Sequence, residues 1–226
     1  SLFPSSILVP CESRNHILFD RQLSPKEGGA DDDQYFIGWD PAISSERSAD
    51  YTVMMVLRQP ADGPNKLEIV HILRRKAMDF RTQIMEIQRL NSKFRPEVIE
   101  LEANHFQRVF ATELRANTDL PIKTFISSKT KRESLLMGLV LKFEREQIVL
   151  PIGDERSRSL MADLKTELLL FGMTKKGKLE SIGRYDDMVI ALALAHWATT
   201  EYKDRIVDLD DLWPSTILEG DMMHVG

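Results

Sequence analysis

Residues 35–57 read YFIGWDPAISSERSADYTVMMVL, two short apolar runs separated by a polar stretch. Both runs, Tyr35 to Trp39 and Tyr51 to Leu57, are rich in β-branched and aromatic strand formers. A third run, KLEIVHIL over 66–73, follows the PADGPN stretch at 60–65, whose Pro, Gly, Asp and Asn are strong turn chemistry. Three successive antiparallel strands are the expected outcome. The first strand ends at Asp40, in GWDPA, and the second is led by Asp50. Trp-Asp-Pro followed by a second Asp-led strand is an unusual way to spend residues on a plain hairpin.

Downstream the hydrophobic period changes. Phe80, Ile84, Ile87 and Leu90 recur at helical spacing behind Asp79, a natural N-cap, and Arg95-Pro96 closes that helix. A strand at 97–101, a helix at 105–115 and a strand at 122–125 follow. Next come a long helix at 127–146, a short edge strand at 148–150 and a helix at 156–170. The MTKKGK turn at 173–178 sits inside a hairpin expected over 168–182, and an apolar helix over 186–202 closes the domain. The fold class is therefore α/β, a central mixed sheet of three antiparallel strands and further strands, flanked by helices, with an auxiliary hairpin. Residues 1–33, rich in Pro and Gly without periodicity, are read as a linker or peripheral wrap. The main domain spans 34–203, and 204–226 form an acidic tail.

Composition narrows the function classes. With 42% hydrophobic and 29% charged residues the chain can form a packed core and is not globally disordered. No apolar run approaches the ~20 residues of a membrane span, and no signal peptide opens the chain, so secretion and membrane insertion are not expected. The chain opens on Ser1 rather than Met and is read as part of a longer polypeptide. Cys11, the only cysteine, forms no internal disulfide and no thiolate metal cluster. The net charge of -5 argues against indiscriminate DNA binding. It does not exclude a local basic groove, because Asp31-Asp32-Asp33 and the 204–211 segment hold many of the acids while basic clusters lie mid-chain.

Four acids stand at element ends. Asp40 ends the first strand, Glu102 ends the fourth in IELEAN, and Asp186 and Asp187 open the last helix in GRYDDMVIALALA. Singly, each has an ordinary reading as a turn former or N-cap. Together they form a set that would repel itself without a bound cation. Hard divalent ions take oxygen ligands, and two of them ~3.5–4 Å apart serve phosphodiester hydrolysis without any His or Cys framework.

With these residues in place, the chain resembles the nuclease domain of the large terminase subunit of tailed bacteriophages, of the ribonuclease H-like, resolvase-like superfamily. The resemblance runs from about Tyr35 to Trp197. It is carried by GWDPAISSERSADYTVMMVL, by VIELEANHFQRVF, by SSKTKRESLLMGLVLKFEREQIVLP and by GRYDDMVIALALA. It implies a ribonuclease H-like fold and endonucleolytic cutting of concatemeric double-stranded viral DNA during genome packaging, with little sequence specificity. Asp40, Glu102 and Asp187 would be the principal metal ligands, with Asp186 adjacent, holding two Mg²⁺ or Mn²⁺ ions. Asn104 would stand just behind them. By its own position Asp50 either lies near the metal site or caps its loop, and His105 either stands behind Glu102 or opens the following helix. Many relatives carry a further acid three residues after the second Asp, and Ile190 occupies that position here. The implied partners are double-stranded DNA, an upstream ATPase domain of the same polypeptide, the portal and the small terminase subunit, in the host cytoplasm. No phosphate-binding loop of the Gly-rich, Lys-Ser/Thr type occurs in this chain, so no ATPase activity is expected from it. The competing functions are a structure-selective resolvase of the same fold and a non-catalytic module docking DNA or portal.

Basic residues supply the candidate DNA contacts. Lys129, Lys131 and Arg132 open the long helix, where they oppose the helix dipole unless a phosphate joins them; the alternative is a solvated helix start. Lys175, Lys176 and Lys178 form the hairpin tip, a DNA contact or an ordinary soluble turn. Arg184 either contacts the scissile phosphate or neutralises the neighbouring acids. His71, His196 and Trp197 are read as core.

Overall fold

The computed structural model describes residues 1–19, 32–42, 51–63, 65–103, 112, 114–116, 118–173, 179–183 and 185–212, the last nine by backbone alone. In chain order these form α1 (Ser5–Leu8), a 3-10 turn (Val9–Cys11), β1 (Glu12–Ser13), β2 (Gln34–Asp40), β3 (Thr52–Gln59) and β4 (Leu67–Arg75). Then come α2 (Phe80–Phe94), β5 (Val98–Glu102), β6 (Ile122–Phe125), α3 (Lys129–Glu144) and β7 (Ile148–Pro151). Last are α4 (Glu155–Leu170), β8 (Phe171–Met173), β9 (Leu179–Ser181) and α5 (Asp187–Leu212).

Seven strands make one mixed sheet in the order β1-β7-β4-β3-β2-β5-β6, and β8 with β9 make the separate hairpin. The β2–β3 and β3–β4 pairs are antiparallel, as the turn chemistry of 60–65 dictates, while β5 and β6 join β2 in parallel. The strand expected at the edge over 148–150 is not an edge among the described residues. β1 pairs with it in parallel, Glu12 opposite Leu150. This pairing was not legible because a two-residue strand has no period to read. Phe3, Leu8 and Cys11 of the same N-terminal segment are buried in the core, and the Phe3 ring meets Phe143 edge-on at 5.9 Å.

Period-two alternation sorts the sheet's two faces. Val53, Met55 and Leu57 of β3 face a core shared with α3, α4 and α5, whereas Met54 and Val56 face Ile87, Leu90 and Phe94 of α2. Every residue from Met188 to Ala195 in α5 is buried, so this helix is apolar on all sides and lies between the sheet and the outer helices. Among the described residues no helix is long and apolar enough to cross a membrane.

Side-chain caps set the helix starts. Asp79 accepts from the Thr82 N–H at 2.7 Å, Ser128 from Lys131 and Asp154 from Ser157. The α5–β2 contact is closest at Gly38. A Cβ there would lie 1.9 Å from the Ala191 carbonyl oxygen and 2.4 Å from the Ala195 nitrogen. Only glycine on the strand, facing alanines one turn apart on the helix, permits this approach.

Gly38→Ala is therefore expected to destabilise the chain by about 3 kcal/mol or more, since backbone cannot yield as a flexible side chain does. Thermal melting followed by circular dichroism checks this. A melting temperature within a degree of wild type would mean that the α5–β2 approach is not rigid.

Candidate active site

Register brings the first two acids together. Trp39 of β2 pairs with Leu101 of β5, so Asp40 and Glu102 follow as neighbours at the ends of adjacent parallel strands. Trp39 and Leu101 point into the α2 core, and alternation sends Asp40 and Glu102 to the α5 face. Asp187 stands one turn before Ala191 on the helix stripe that meets Gly38, which sets it beside Asp40. The chain just after Asp40 is fixed at both polar groups of Ala42. Its N–H donates to Thr52 Oγ1 at 3.2 Å, and its carbonyl accepts from the buried Gln83 Nε2 at 3.0 Å.

The electrostatics reflect this crowding. Burial, followed by the charges of Glu102, Asp187 and Asp186, holds the Asp40 carboxyl well above the usual carboxylate range. Burial also raises Glu102, and Arg132 partly offsets it. Asp40 and Glu102 act on each other as well, each carboxyl contributing to the shift of the other. Arg132 reaches from α3 to Asp186 at 3.2 Å and to Glu102 at 3.6 Å. The Tyr51 N–H donates to Asp187 Oδ2 at 3.4 Å.

Oxygen donors converging on a partly buried site suit a hard divalent ion in type and charge. Among the described residues no group of three or more His, Cys, Asp or Glu side chains is arranged to hold a metal ion. The Arg132 guanidinium, between Glu102 and Asp186, offsets part of the charge instead. It is a group that a cation can displace.

The basic candidates separate. Arg132 joins the acids, and Lys129 lines the same cleft of about 370 Å³ with Glu133, Leu179 and Glu180 of the hairpin. Lys131 turns to a different cleft, of about 260 Å³, with Glu100, Arg115 and Lys123. Lys175, Lys176, Lys178, Arg184, Asp50, Asn104 and His105 lie outside the described residues. Ile190 is core, 2% exposed. His71 and His196 are buried and neutral, each pushed down to about 4 by burial.

Two acids escaped the sequence reading. Glu167 of α4 is buried, and its Oε2 accepts from the Met188 N–H at 2.9 Å, satisfying an orphan donor in the first turn of α5. Its other oxygen accepts from Arg74 at 2.9 Å. Burial raises its pKa, and Asp186 is close enough to add to that. The available signal was a charge on the stripe of Met161, Leu164 and Leu168, which is otherwise apolar. Glu100, two residues before Glu102, is also buried and pushed up to about 8, chiefly by burial.

The family described as the terminase RNaseH-like domain matches residues 37–198. No curated protein sequence matches the chain. Among solved structures the fold is similar to the large terminase nuclease of thermophilic phage G20c with bound magnesium. The TM-score is 0.65 at 22% identity, over 87% of this chain and 96% of that one. It is similar to the Thermus phage P74-26 large terminase nuclease domain, at TM-score 0.60 and 21% identity over 87% and 94%. It is also similar to a mutant nuclease domain of the large terminase subunit of bacterial virus Sf6 with manganese and beta-thujaplicinol, at 0.59 and 12% over 87% and 98%.

A raised folded-state pKa at Asp40 means the folded chain binds more protons than the unfolded one at neutral pH, so this site costs stability as pH rises. Asp40→Asn mimics the protonated form. In chelator it is expected to raise the melting temperature by several degrees at pH 8, with the gain vanishing toward pH 4. Paired melting curves across that range test this, and a pH-independent difference would contradict it.

Proposed function

The chain belongs to the terminase RNase H-like domain family, and from that premise we propose that it is the divalent-metal-dependent endonuclease of a viral packaging motor. Its substrate is concatemeric double-stranded DNA, cut with little sequence preference by phosphodiester hydrolysis. The observation that carries this reading is the convergence of Asp40, Glu102, Asp186 and Asp187, where burial and then the charges of the other three hold the Asp40 carboxyl above its ordinary range.

Asp40, Glu102 and Asp187, with Asp186 adjacent, would hold two Mg²⁺ or Mn²⁺ ions. Bound there, the ions supply Lewis-acid activation of water and charge neutralisation at the phosphodiester. Similar nucleases solved with magnesium, manganese, cobalt and zinc support a divalent ion. The protein's own residues do the rest. The Asp40 carboxyl, raised by burial, must be deprotonated to serve as a ligand, so metal binding would strengthen as pH rises. Arg132 exchanges its carboxylates for a substrate phosphate, and Lys129 extends that contact along the cleft shared with the hairpin. Glu167 holds the first turn of α5, and with it Asp187, from behind; Ile190 remains a core residue.

The reading calls for no covalent intermediate, because the nucleophile it needs is water. The partners that follow from this reading are DNA, an ATPase domain elsewhere in the same polypeptide, the portal and the small terminase subunit. The place of action is the host cytoplasm.

Supercoiled plasmid incubated with Mg²⁺ or Mn²⁺ is expected to be nicked and then linearised, and to stay intact in EDTA. Asp40→Ala and Asp187→Ala should each lower the rate by ~100-fold or more, at least the upper range for outer-shell partners of a metal. A folded wild-type chain that cuts with neither ion would favour the docking module, and preference for a four-way junction over linear duplex would favour the resolvase.

A further inference from the structure

Among the described residues Arg132, Arg74 and Lys76 stand around the acidic centre, and the first two are committed to carboxylates. Arg132 bridges Asp186 and Glu102. Arg74, from the end of β4, pairs with Glu167 at 2.9 Å and Asp163 at 3.2 Å, its guanidinium 3.9 Å above the Tyr51 ring. Lys76 differs. Among the described residues it pairs with no carboxylate; its Nζ donates to the Tyr185 hydroxyl at 2.6 Å. The ammonium also lies 4.7 Å from the Tyr51 ring centre and 4.6 Å from that of Tyr185, two rings that meet edge-on at 5.1 Å.

Both tyrosines are tied to Asp187. Tyr51 donates its backbone N–H to the Asp187 carboxylate, and Tyr185 precedes that residue by two positions. The ammonium is thus fixed in space relative to the acids while remaining partly exposed. Lysine carries three N–H donors, of which Tyr185 takes one; the tyrosine faces attract the charge without accepting its protons. The backbone turns sharply immediately after Lys76, at Ala77, where φ is 54°. A left-handed alanine is unfavourable, and such strain persists where the surrounding structure enforces a position.

We propose that Lys76, held between Tyr51 and Tyr185, is a DNA-binding residue that grips a backbone phosphate next to the cut site. The ligand chemistry is a non-bridging phosphate oxygen, which can take the two remaining donors and the unneutralised charge together. The contact reads no sequence. It sets the position of the strand relative to Asp187 and adds one counterion to those released on binding. The proposal rests on the nuclease reading of the acidic centre.

The test is binding of a fluorescent duplex measured by anisotropy over a salt series. It uses the full chain in an Asp40→Asn background with Mg²⁺, comparing Lys76 with Lys76→Gln and Lys76→Arg. Lys76→Gln is expected to weaken binding several-fold and to reduce the slope of log K against log salt by about 0.9, the value for one phosphate. Lys76→Arg should keep the slope. Unchanged melting temperatures would show that packing is intact, and Tyr185→Phe, which frees the ammonium without removing it, should weaken binding with the slope kept. An unaltered slope in Lys76→Gln, or a slope lost equally in Lys76→Arg, would overturn the proposal. With Asp40 restored, Lys76→Gln should raise KM for plasmid more than it lowers kcat. Absence of any cleavage by the parent chain would instead sink the nuclease reading, leaving the salt slope to judge Lys76 alone.

Discussion

The contact between Gly38 and the Ala191–Ala195 face of α5 is the constraint on which the rest depends. A strand and a helix approach here until backbone meets backbone, leaving no room for a single methyl group. Two residues along the strand from Gly38 stands Asp40, and one turn back along the helix from Ala191 stands Asp187. The spacing of the candidate acids is therefore set by steric exclusion in the core, and electrostatics acts upon positions already fixed. That order matters, because four carboxylates would not assemble on their own attraction. The apolar burial of Met188 to Ala195 holds them against their repulsion.

Charge balance around the site is achieved by short-range exchangeable partners. The Arg132 guanidinium between Glu102 and Asp186 and the raised carboxyl of Asp40 keep the cluster tolerable. The supporting groups are less exchangeable. Glu167 is buried with a bond to α5 on one oxygen and to Arg74 on the other. Removing one partner of such a buried set leaves the other uncompensated, which is why these residues brace the site more firmly than the exposed pairs do. The outcome is an acidic centre that is rigid behind and adjustable in front, where Arg132, Lys129 and the hairpin border an open cleft.

Much of this was readable from residue order. The apolar strand-forming runs at 35–39 and 51–57, the Pro-Ala-Asp-Gly-Pro stretch and the helical spacing from Phe80 each reflect local geometry, and the strands and helix they predict lie within a few residues of their expected places. Asp40, Glu102 and Asp186-Asp187 were visible because they end or begin elements. Glu167, Arg74 and Lys76 were not, since their partners lie on other elements tens of residues away. A basic run such as Arg74-Arg75-Lys76 reads as a solvated strand end until the tyrosines are seen to close over it. The β1–β7 pair escaped for a similar reason, because two residues of strand are stabilised by a partner almost 140 positions away and not by any local pattern.

By itself, then, the sequence determined the kinds of element, their order and the acids at their ends. Those depend on backbone propensity, side-chain period and turn chemistry, which act over a few residues. Only the tertiary structure decided which cations face the acids, which acid braces the last helix and which lysine is held between two tyrosines. These are consequences of register and close packing between distant segments, and of burial, which raises the free energy of a charge according to what surrounds it and not according to what precedes it in the chain.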